Sequence, residues 1–551
     1  MDFKALAGAG RFKDIIMVLV KYGFDDLVDR LNIPGISLIK KVRKVNHKLG
    51  TFERIRCALE DLGPTFVKFG QIMSLRPDLL PSELIDEISK LQDEVAPVEF
   101  AQVKEAVEKD TLQPLQELFT IFDAEPLAAA SISQVHRGVL KNDGRIVAIK
   151  VQRPGIRSKI KTDLDILAAI AEQLHERIED LKTYDLPNIV RVTRRNLLHE
   201  LDFKREARNM KIANSYADEH PGIYIPEVYE EYCTERLLVM EYVQGTKLKN
   251  IKPEALTDPE ALAKQGLKAA IKQILDDGFF HADPHPGNLL ITNEGLICLM
   301  DWGMTGRLSE RDRYELIDFM KSVVDRDSEA LVYALLRISN AEYIINQRDL
   351  ERELLDILDS YYSVPIKEMN IGKLLMSVTE LLRTYRLRLP PDLVIMIKAL
   401  VTAEGTARLI YPDLDVVSEA KAYISTLALK RFKPKSVWRG FRFTMSQFIR
   451  LQQEVPKRLL QLLVKADRGE ITVGFRHENL GGLRSTLDNV TNRLTIGIII
   501  AAMIIGSSMI ITTGIGPLLF GFPALGVIGY LFSGLLGLWE IFSIIRRRKY
   551  R

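Results

Sequence analysis

Apolar residues recur at helical spacing from residue 12 to 31, and Pro34 stands where that element should end. A second helical run begins near Thr51 and carries Leu62-Gly63-Pro64-Thr65-Phe66-Val67-Lys68-Phe69-Gly70-Gln71; residues 83–92 and 99–109 predict two more short helices. The period then changes to two. Residues 120–127, 134–140 and 145–152 read as strands, and Asn142-Asp143-Gly144 supplies a turn, so a three-strand meander is predicted. Helical spacing resumes over 157–182 and 190–218, strands fit 225–233 and 236–242, Gly245 breaks the chain, and a long helix covers 261–278. Residues 289–292 and 296–300 flank Asn293-Glu294-Gly295 as a hairpin, after which 309–430 read as helical throughout. Strands early and helices late predict an α+β fold, a small sheet lobe joined to a larger helical one.

The C-terminal pattern is different. Residues 494–513 form a stretch of 20 without a charge, and 522–545 a stretch of 24 with only Glu540. Each is long enough to cross ~30 Å of hydrocarbon as a helix. Residues 514–521 carry no charge, while Arg484 and Arg493 precede the first stretch and Arg546, Arg547, Arg548, Lys549 and Arg551 end the second. Positive charge on both outer flanks predicts a two-helix transmembrane hairpin with both ends in the cytoplasm. Glu540 can reach the interface beside the arginines, and Tyr530 and Trp539 fit interface anchors or lipid-facing bulk equally. Ser533-x-x-x-Gly537 and Ala502-x-x-x-Gly506 are pairs compatible with close helix contact. The stretch 436–466, with Arg439, Arg442, Arg450, Lys457 and Arg458 among apolar residues, suits either a membrane surface or packing on a domain.

At 551 residues the chain has room for two or three domains. A net charge of +3 with no basic stripe argues against nucleic acid. Cys57, Cys233 and Cys298 have no paired spacing, which indicates neither a disulfide framework nor structural zinc and points to a reducing compartment. Met1-Asp2-Phe3-Lys4 opens without a signal or transit pattern, so export of the main body is not expected.

The candidate chemistry lies in His281-Ala282-Asp283-Pro284-His285-Pro286-Gly287-Asn288, followed 18 residues after its aspartate by Asp301-Trp302-Gly303. That spacing follows the kinase pattern in which one aspartate meets the reacting group while an asparagine and a second aspartate hold Mg²⁺ against ATP. The 289–300 hairpin would return Asp301 next to Asn288. Val147-Ala148-Ile149-Lys150 stands where a kinase lysine grips the α and β phosphates, although a strand lysine is more often simply solvated. Glu206 is a partner for it, on the helix expected from Val190. In place of a glycine-rich turn stands Ala128-Ala129-Ala130-Ser131-Ile132-Ser133-Gln134, stiffer than glycine and less able to fold its amides over a γ-phosphate. Glu200 and Asp202, two apart, do not share a helical face and suit metal, lysine pairing or ordinary surface charge. His285 occupies the place of the lysine that kinases carry two residues after the catalytic aspartate. Pro284 and Pro286 prevent the helix that would align His281 with His285 on zinc, which leaves His281 to hold the loop by hydrogen bonding. After Gly303 a helix begins at Ser309 with no A-P-E segment, which disfavours protein phosphorylation.

Lys68-x-Gly70-Gln71, the alanine-rich loop, Val-Ala-Ile-Lys150, Glu200-x-Asp202, His281-x-Asp283 to Asn288 and Asp301-x-Gly303 occur together in an order that resembles the UbiB family of atypical kinase-like proteins of coenzyme Q and prenylquinone metabolism. The resemblance covers residues 50–330, and the paired C-terminal stretches are similar to bacterial members. It implies a bilobal protein-kinase-like fold divided into an N-terminal helical extension (1–112), an N-lobe (113–245), a helical C-lobe (246–435), an amphipathic linker (436–488) and the hairpin (494–545). The extension would cover the groove where kinases seat a protein substrate, with Lys68 entering the site to meet Glu200 and Asp202, Gly70 allowing close packing and Gln71 bonding to backbone. It further implies that Ala128, Ala129, Ala130, Ser131, Ile132, Ser133, Val135, Lys150, Glu241 and Val243 contact ATP, that Asp283 and Lys150 are catalytic, that Glu206 pairs with Lys150, and that Asn288 and Asp301 bind Mg²⁺. The expected role is a membrane-tethered, Mg²⁺-dependent ATPase or unorthodox kinase on the cytoplasmic side of a bacterial inner membrane. It would extract or present prenylquinone precursors among membrane lipids to quinone-biosynthesis enzymes. A lipid or small-molecule kinase, a non-catalytic nucleotide-binding scaffold, and an oligomer through the hairpin stay open.

Overall fold

The computed structural model describes residues 9–31, 49–74, 76, 79–91, 95–179, 185–325, 327–339, 347–362, 371–385, 387, 389–430, 445, 480–513, 517–519 and 521–548. They fall into two compact units, Met1–Arg439 and Gly440–Arg551.

The first unit opens with helices α1 (Ala9–Lys21), α2 (Thr51–Leu62), α3 (Pro64–Ser74) and α4 (Phe100–Thr111), with shorter helical pieces between them. The single helix predicted for 12–31 is divided: Gly23, at φ +78°, ends α1, and a short helix Asp25–Arg30 follows. Strands β1 (Phe119–Phe122), β2 (Ala128–Ala129), β3 (Ser133–Leu140) and β4 (Ile146–Gln152) come next. The run 120–127 is thus only partly strand, and two of the loop alanines pair with β3 at Val135 and Gln134. Helix α5 (Ile156–Arg177) leads to α6 (Leu186–Glu200) and α7 (Phe203–Asn214). The predicted 190–218 helix therefore breaks at Leu201-Asp202, because the Asp202 side chain accepts the Arg205 N–H and caps a new helix. Between 225 and 233 there is only a bridge at Val228, the strand β5 lying just before it at Ile223–Tyr224.

Strand β6 (Leu237–Glu241) pairs with β4, and the sheet runs β1-β3-β4-β6. Gly245 begins β7 (Gly245–Lys247), which pairs with β9; helix α8 (Pro259–Lys272) ends in a π-helical turn at Gln273–Asp277 before Gly278. Strands β8 (Phe279–His281), β9 (Leu289–Thr292), β10 (Ile297–Leu299) and β11 (Thr305–Arg307) frame the acidic loops. Helices α9 (Glu310–Asp325), α10 (Ser328–Ile338), α11 (Gln347–Tyr362), α12 (Ile371–Thr384), α13 (Pro391–Ile410) and α14 (Val416–Lys430) complete this unit.

Strand alternation decides which side chains reach the site. Val147, Ile149 and Val151 of β4 pack with Val103 and Val107 of α4, so Ala148 and Lys150 face the other way, Ala148 joining Phe203, Leu238 and Met240 in the core that continues into the helices. The opening helices are fastened to this body. Asp163 of α5, fully buried, accepts Arg11 Nε at 2.6 Å and Thr65 Oγ1 at 2.6 Å, and Phe12, Ile16 and Phe66 pack with Ile166 and Ile170.

The second unit contains α15 (Leu480–Thr513) and α16 (Ala524–Arg548), packed on each other and joined through a short pairing of Leu519 with Phe522. Among the described residues one helix, over Leu494–Thr512, is long and apolar enough to cross a membrane; the second apolar helix, Ala524–Trp539, is shorter. The expected second span, 522–545, lies within a helix of 25 residues, Ala524–Arg548, whose side chains are described as far as Trp539. The close approach also differs from the predicted pairs. A Cβ on Gly526 would lie 3.0 Å from the Ser507 carbonyl oxygen and one on Gly529 2.3 Å from Ser507 Oγ, whereas Gly506 and Gly537 face open space. Residues 436–466 lie outside the described residues apart from Met445.

Candidate active site

Lys150 stands on β4 opposite Val135 and Leu238. Its Nζ donates to Glu206 Oε1 at 2.8 Å and Oε2 at 2.9 Å, and lies 3.4 Å from Asp301 Oδ2. Glu206 rides on α7, not on the helix that begins earlier: the Asp202 cap starts the second helix and turns Glu206 inward. One ammonium thus serves two carboxylates. Burial opposes the charge on Lys150, but Asp301 and Glu206 outweigh it and raise its pKa. Asp301 is also burdened by burial, yet Lys150 and the Gly303 N–H, which donates to Oδ1 at 2.9 Å, hold its carboxyl well below the usual range. Glu206 bears the cost: burial first, offset in part by Lys150 and reinforced by Asp301, pushes it up to about 7.

The stability sign follows from linkage. Between its ordinary value of 4.5 and about 7, folded Glu206 keeps a proton that the unfolded chain has lost, so its contribution weakens as pH rises across that interval. The shifts of Lys150 and Asp301 act outside it. His281, lowered by burial, acts in the opposite direction, so the comparison must be with a variant. Glu206→Gln should change the difference between melting midpoints at pH 5 and pH 7, removing the part that falls with rising pH; an identical pH profile would mean that the glutamate is ionised throughout.

Asp301 is placed by its neighbours. Trp302 is fully buried, stacks on Phe279 at 6.0 Å and donates Nε1–H to the Leu299 carbonyl at 3.1 Å. Asn209 of α7 donates to the Trp302 carbonyl at 2.9 Å, tying the Glu206 helix to the aspartate loop. Sequence reasoning passed over Trp302 and Asn209 as site residues; the only signal was Trp302 inside the D-x-G tripeptide. The β9–β10 hairpin brings the strand ends together, with the Met300 N–H on the Asn288 carbonyl at 3.1 Å. Asn288 Nδ2 donates to the Asp283 carbonyl at 3.2 Å, which leaves its amide oxygen as the acceptor for a ligand. His281 Nδ1 accepts the Asp283 N–H at 3.1 Å, and its ring meets Trp302 edge-on. His285 Nδ1 accepts the Gly287 N–H at 2.9 Å, and a Cβ on Gly287 would fall 2.6 Å from the imidazole. Glycine is needed there for the ring to fold back.

Lys68 of α3 reaches Glu200, with Nζ 2.7 Å from Oε1. Its charge also helps depress Asp301. As the α7 cap, Asp202 accepts from Arg205 N–H and pairs with Arg208 at 3.6 Å. Gly70 allows α3 to approach its neighbours, since a Cβ there would lie 2.4 Å from Leu91 Cδ1, and Gln71 Nε2 donates to the Leu91 carbonyl at 3.2 Å. Gly303 is the meeting point of three acids: Asp301 Oδ1, Glu200 Cγ and Glu206 Oε2 lie within 4 Å of where its Cβ would be.

The alanine loop is tied down. Ala130 N–H donates to the Ser133 carbonyl at 2.9 Å, and Arg153 donates to the Ala130 carbonyl at 2.7 Å and the Ile132 carbonyl at 2.9 Å. Ile132, expected among nucleotide contacts, buries its side chain with Ile72 of α3, Ile160 and Leu197, leaving only its backbone for a ligand. Ser131 and Ser133 are buried, and among the described residues Ser131 Oγ has no hydrogen-bond partner. Glu241 ends β6 with its carboxylate on Tyr224 OH at 2.7 Å, and Val243 lies half-buried two residues on. The donor chemistry fits Mg²⁺: a carboxylate and an amide oxygen, hard ligands that leave positions for phosphate oxygens. Among the described residues no group of three His, Cys, Asp or Glu is placed to bind a metal by itself.

A strand lysine clasped by a helix glutamate, beside an aspartate loop returned by a hairpin, places this chain among kinase-like proteins. The ABC1 atypical kinase-like domain model matches residues 90–335, the UbiB helical domain model 354–415 and the ABC1/UbiB kinase-like C-terminal domain model 478–546. A Clostridium pasteurianum protein described as an uncharacterized protein in the hydrogenase 1 5′ region is 32% identical over 97% of this chain and 98% of its own. The "Probable protein kinase UbiB" of Cellvibrio japonicus is 32% identical over 88% of this chain and 87% of its own, and that of Vibrio cholerae 29% over 95% and 98%. A solved Mycobacterium tuberculosis structure, the complex of Rv3197 with erythromycin, is 20% identical with a TM-score of 0.46, covering 64% of this chain and 90% of that one. The chain belongs to the ABC1/UbiB family of atypical kinase-like proteins.

Proposed function

We propose that this protein is a membrane-tethered, Mg²⁺-dependent ATPase of the atypical kinase type that supports ubiquinone or another prenylquinone biosynthesis by extracting or presenting lipid precursors to the enzymes that modify them. The contact of Lys150 with both Glu206 and Asp301 carries the reading, because that arrangement suits a nucleotide phosphate and its metal. In this reading the fold is bilobal, Lys150 holds the phosphates with Glu206 orienting it, and the alanine loop, Glu241 and Val243 bound the nucleotide. Asn288 and Asp301 hold Mg²⁺, which supplies charge neutralisation on the phosphates, and Asp283 accepts a proton from the attacking water. In the same reading the α3 helix covers the face where a peptide would dock, and the Lys68–Glu200 pair supports water or a lipid over a protein as acceptor. Apolar helices α15 and α16 support a hairpin in a bacterial inner membrane with the kinase-like body on the cytoplasmic side.

Asp283→Asn should abolish MgATP hydrolysis in lipid vesicles while MgATP still binds, and quinone production in cells should fail with it. Quinone production that survives Asp283→Asn but is lost on removal of 494–545 would identify a nucleotide-set scaffold in place of an enzyme.

A further inference from the structure

His285 cannot do what the missing loop lysine does in kinases: its Nδ1 is engaged by the Gly287 N–H at 2.9 Å, and its Nε2 lies 3.6 Å from Asp283 Oδ2. Another cation stands within the influence of the Asp283 charge, from elsewhere in the chain. Lys398 projects from α13, and that helix is fastened to the catalytic loop about two turns further on, where Thr406 Oγ1 donates to the Pro284 carbonyl at 3.0 Å. Lys398 Nζ donates to Ser74 Oγ at 3.2 Å, the last residue of α3. Among the described residues no carboxylate stands within ion-pair distance of it; Asp283 is the acid whose charge it senses, while burial lowers its pKa. A partly buried ammonium that has only a hydroxyl partner is costly unless an anion is to join it.

We propose that Lys398 contacts the terminal phosphate of the bound nucleotide, supplying from the C-terminal helices the positive charge that kinases supply from the catalytic loop, with Ser74 holding it when no nucleotide is present. The inference rests on the nucleotide reading above and names a phosphate contact within that site. It also links the opening helices to the site, since the same ammonium is bonded to the end of α3.

The test compares binding of a triphosphate and a diphosphate to the full chain in detergent, using the magnesium complexes of the β,γ-imido analogue of ATP and of ADP. Lys398→Met should weaken the triphosphate analogue roughly tenfold to a hundredfold while leaving ADP within about twofold, since only the former carries the contacted group. Lys398→Arg should recover most of the loss, and Ser74→Ala, which frees the lysine, should leave triphosphate binding equal or tighter. Equal weakening of both nucleotides, no change in either, or weakening by Ser74→Ala as large as that by Lys398→Met would overturn the assignment. If Lys398→Met does not fold, Lys398→Gln and Ser74→Ala carry the same comparison. Failure of the unaltered protein to bind either nucleotide would instead sink the nucleotide reading itself.

Discussion

Asp301→Asn should reduce Mg²⁺-dependent ATP turnover by roughly 10²–10⁴-fold, the rate equivalent of losing several kcal/mol of metal-borne charge stabilisation. The aspartate is held ionised by Lys150 and the Gly303 N–H, so it offers a charged ligand where the amide offers only a dipole. Asparagine keeps the shape and can still accept the Gly303 N–H at Oδ1, which separates loss of charge from loss of fold. The measurement is phosphate release against Mg²⁺ concentration in vesicles. Turnover that is unchanged, or fully restored by raising Mg²⁺ severalfold, would remove Asp301 from the metal site or reduce it to a weak contributor.

Lys150→Met should destabilise the protein by about 3–5 kcal/mol at pH 8, because it strands Glu206, only 3% exposed, without its cation. The loss should shrink at pH 6, because without Lys150 to hold its pKa down the buried Glu206 carboxyl takes up a proton in place of the missing ammonium. Lys150→Met combined with Glu206→Leu should recover most of the stability, since an apolar pair of similar volume replaces a buried ion pair at little cost. Denaturant or thermal unfolding of the detergent-solubilised protein at the two pH values checks both statements. A double variant no more stable than the single one would mean that Asp301, not Glu206, is the carboxylate left exposed to the loss.

The two predictions concern residues that differ in how readily the chain betrays them. Asp301 was legible because its motif is local: an aspartate, a glycine two residues on and a short alternating hairpin behind it need nothing beyond neighbouring sequence to be placed beside Asn288. Lys150 was legible as a strand lysine, and Glu206 as a nearby acid, but the helix assigned to Glu206 was wrong. A continuous helical period from 190 to 218 concealed the Asp202 cap that restarts the helix and turns Glu206 toward β4. The same cap gives Asp202 partners of its own in Arg205 and Arg208, and no spacing rule foretells which of two nearby acids a capping bond will claim.

By itself the sequence determined most of the helical runs, the strands β3, β4, β6, β9 and β10, the acidic loops, the strand lysine and the apolar C-terminal stretches, since each depends on periodicity or on residues within a few positions of one another. Tertiary structure decided that Lys68 meets Glu200, that Asn209 and Trp302 bind the glutamate helix to the aspartate loop, and that Lys398 bonds to Ser74 within the influence of the Asp283 charge. Those contacts join residues tens to hundreds of positions apart. Which partner a long side chain finds at that separation is set by how packed elements exclude water and satisfy their buried polar atoms, and a one-dimensional pattern carries no record of that competition.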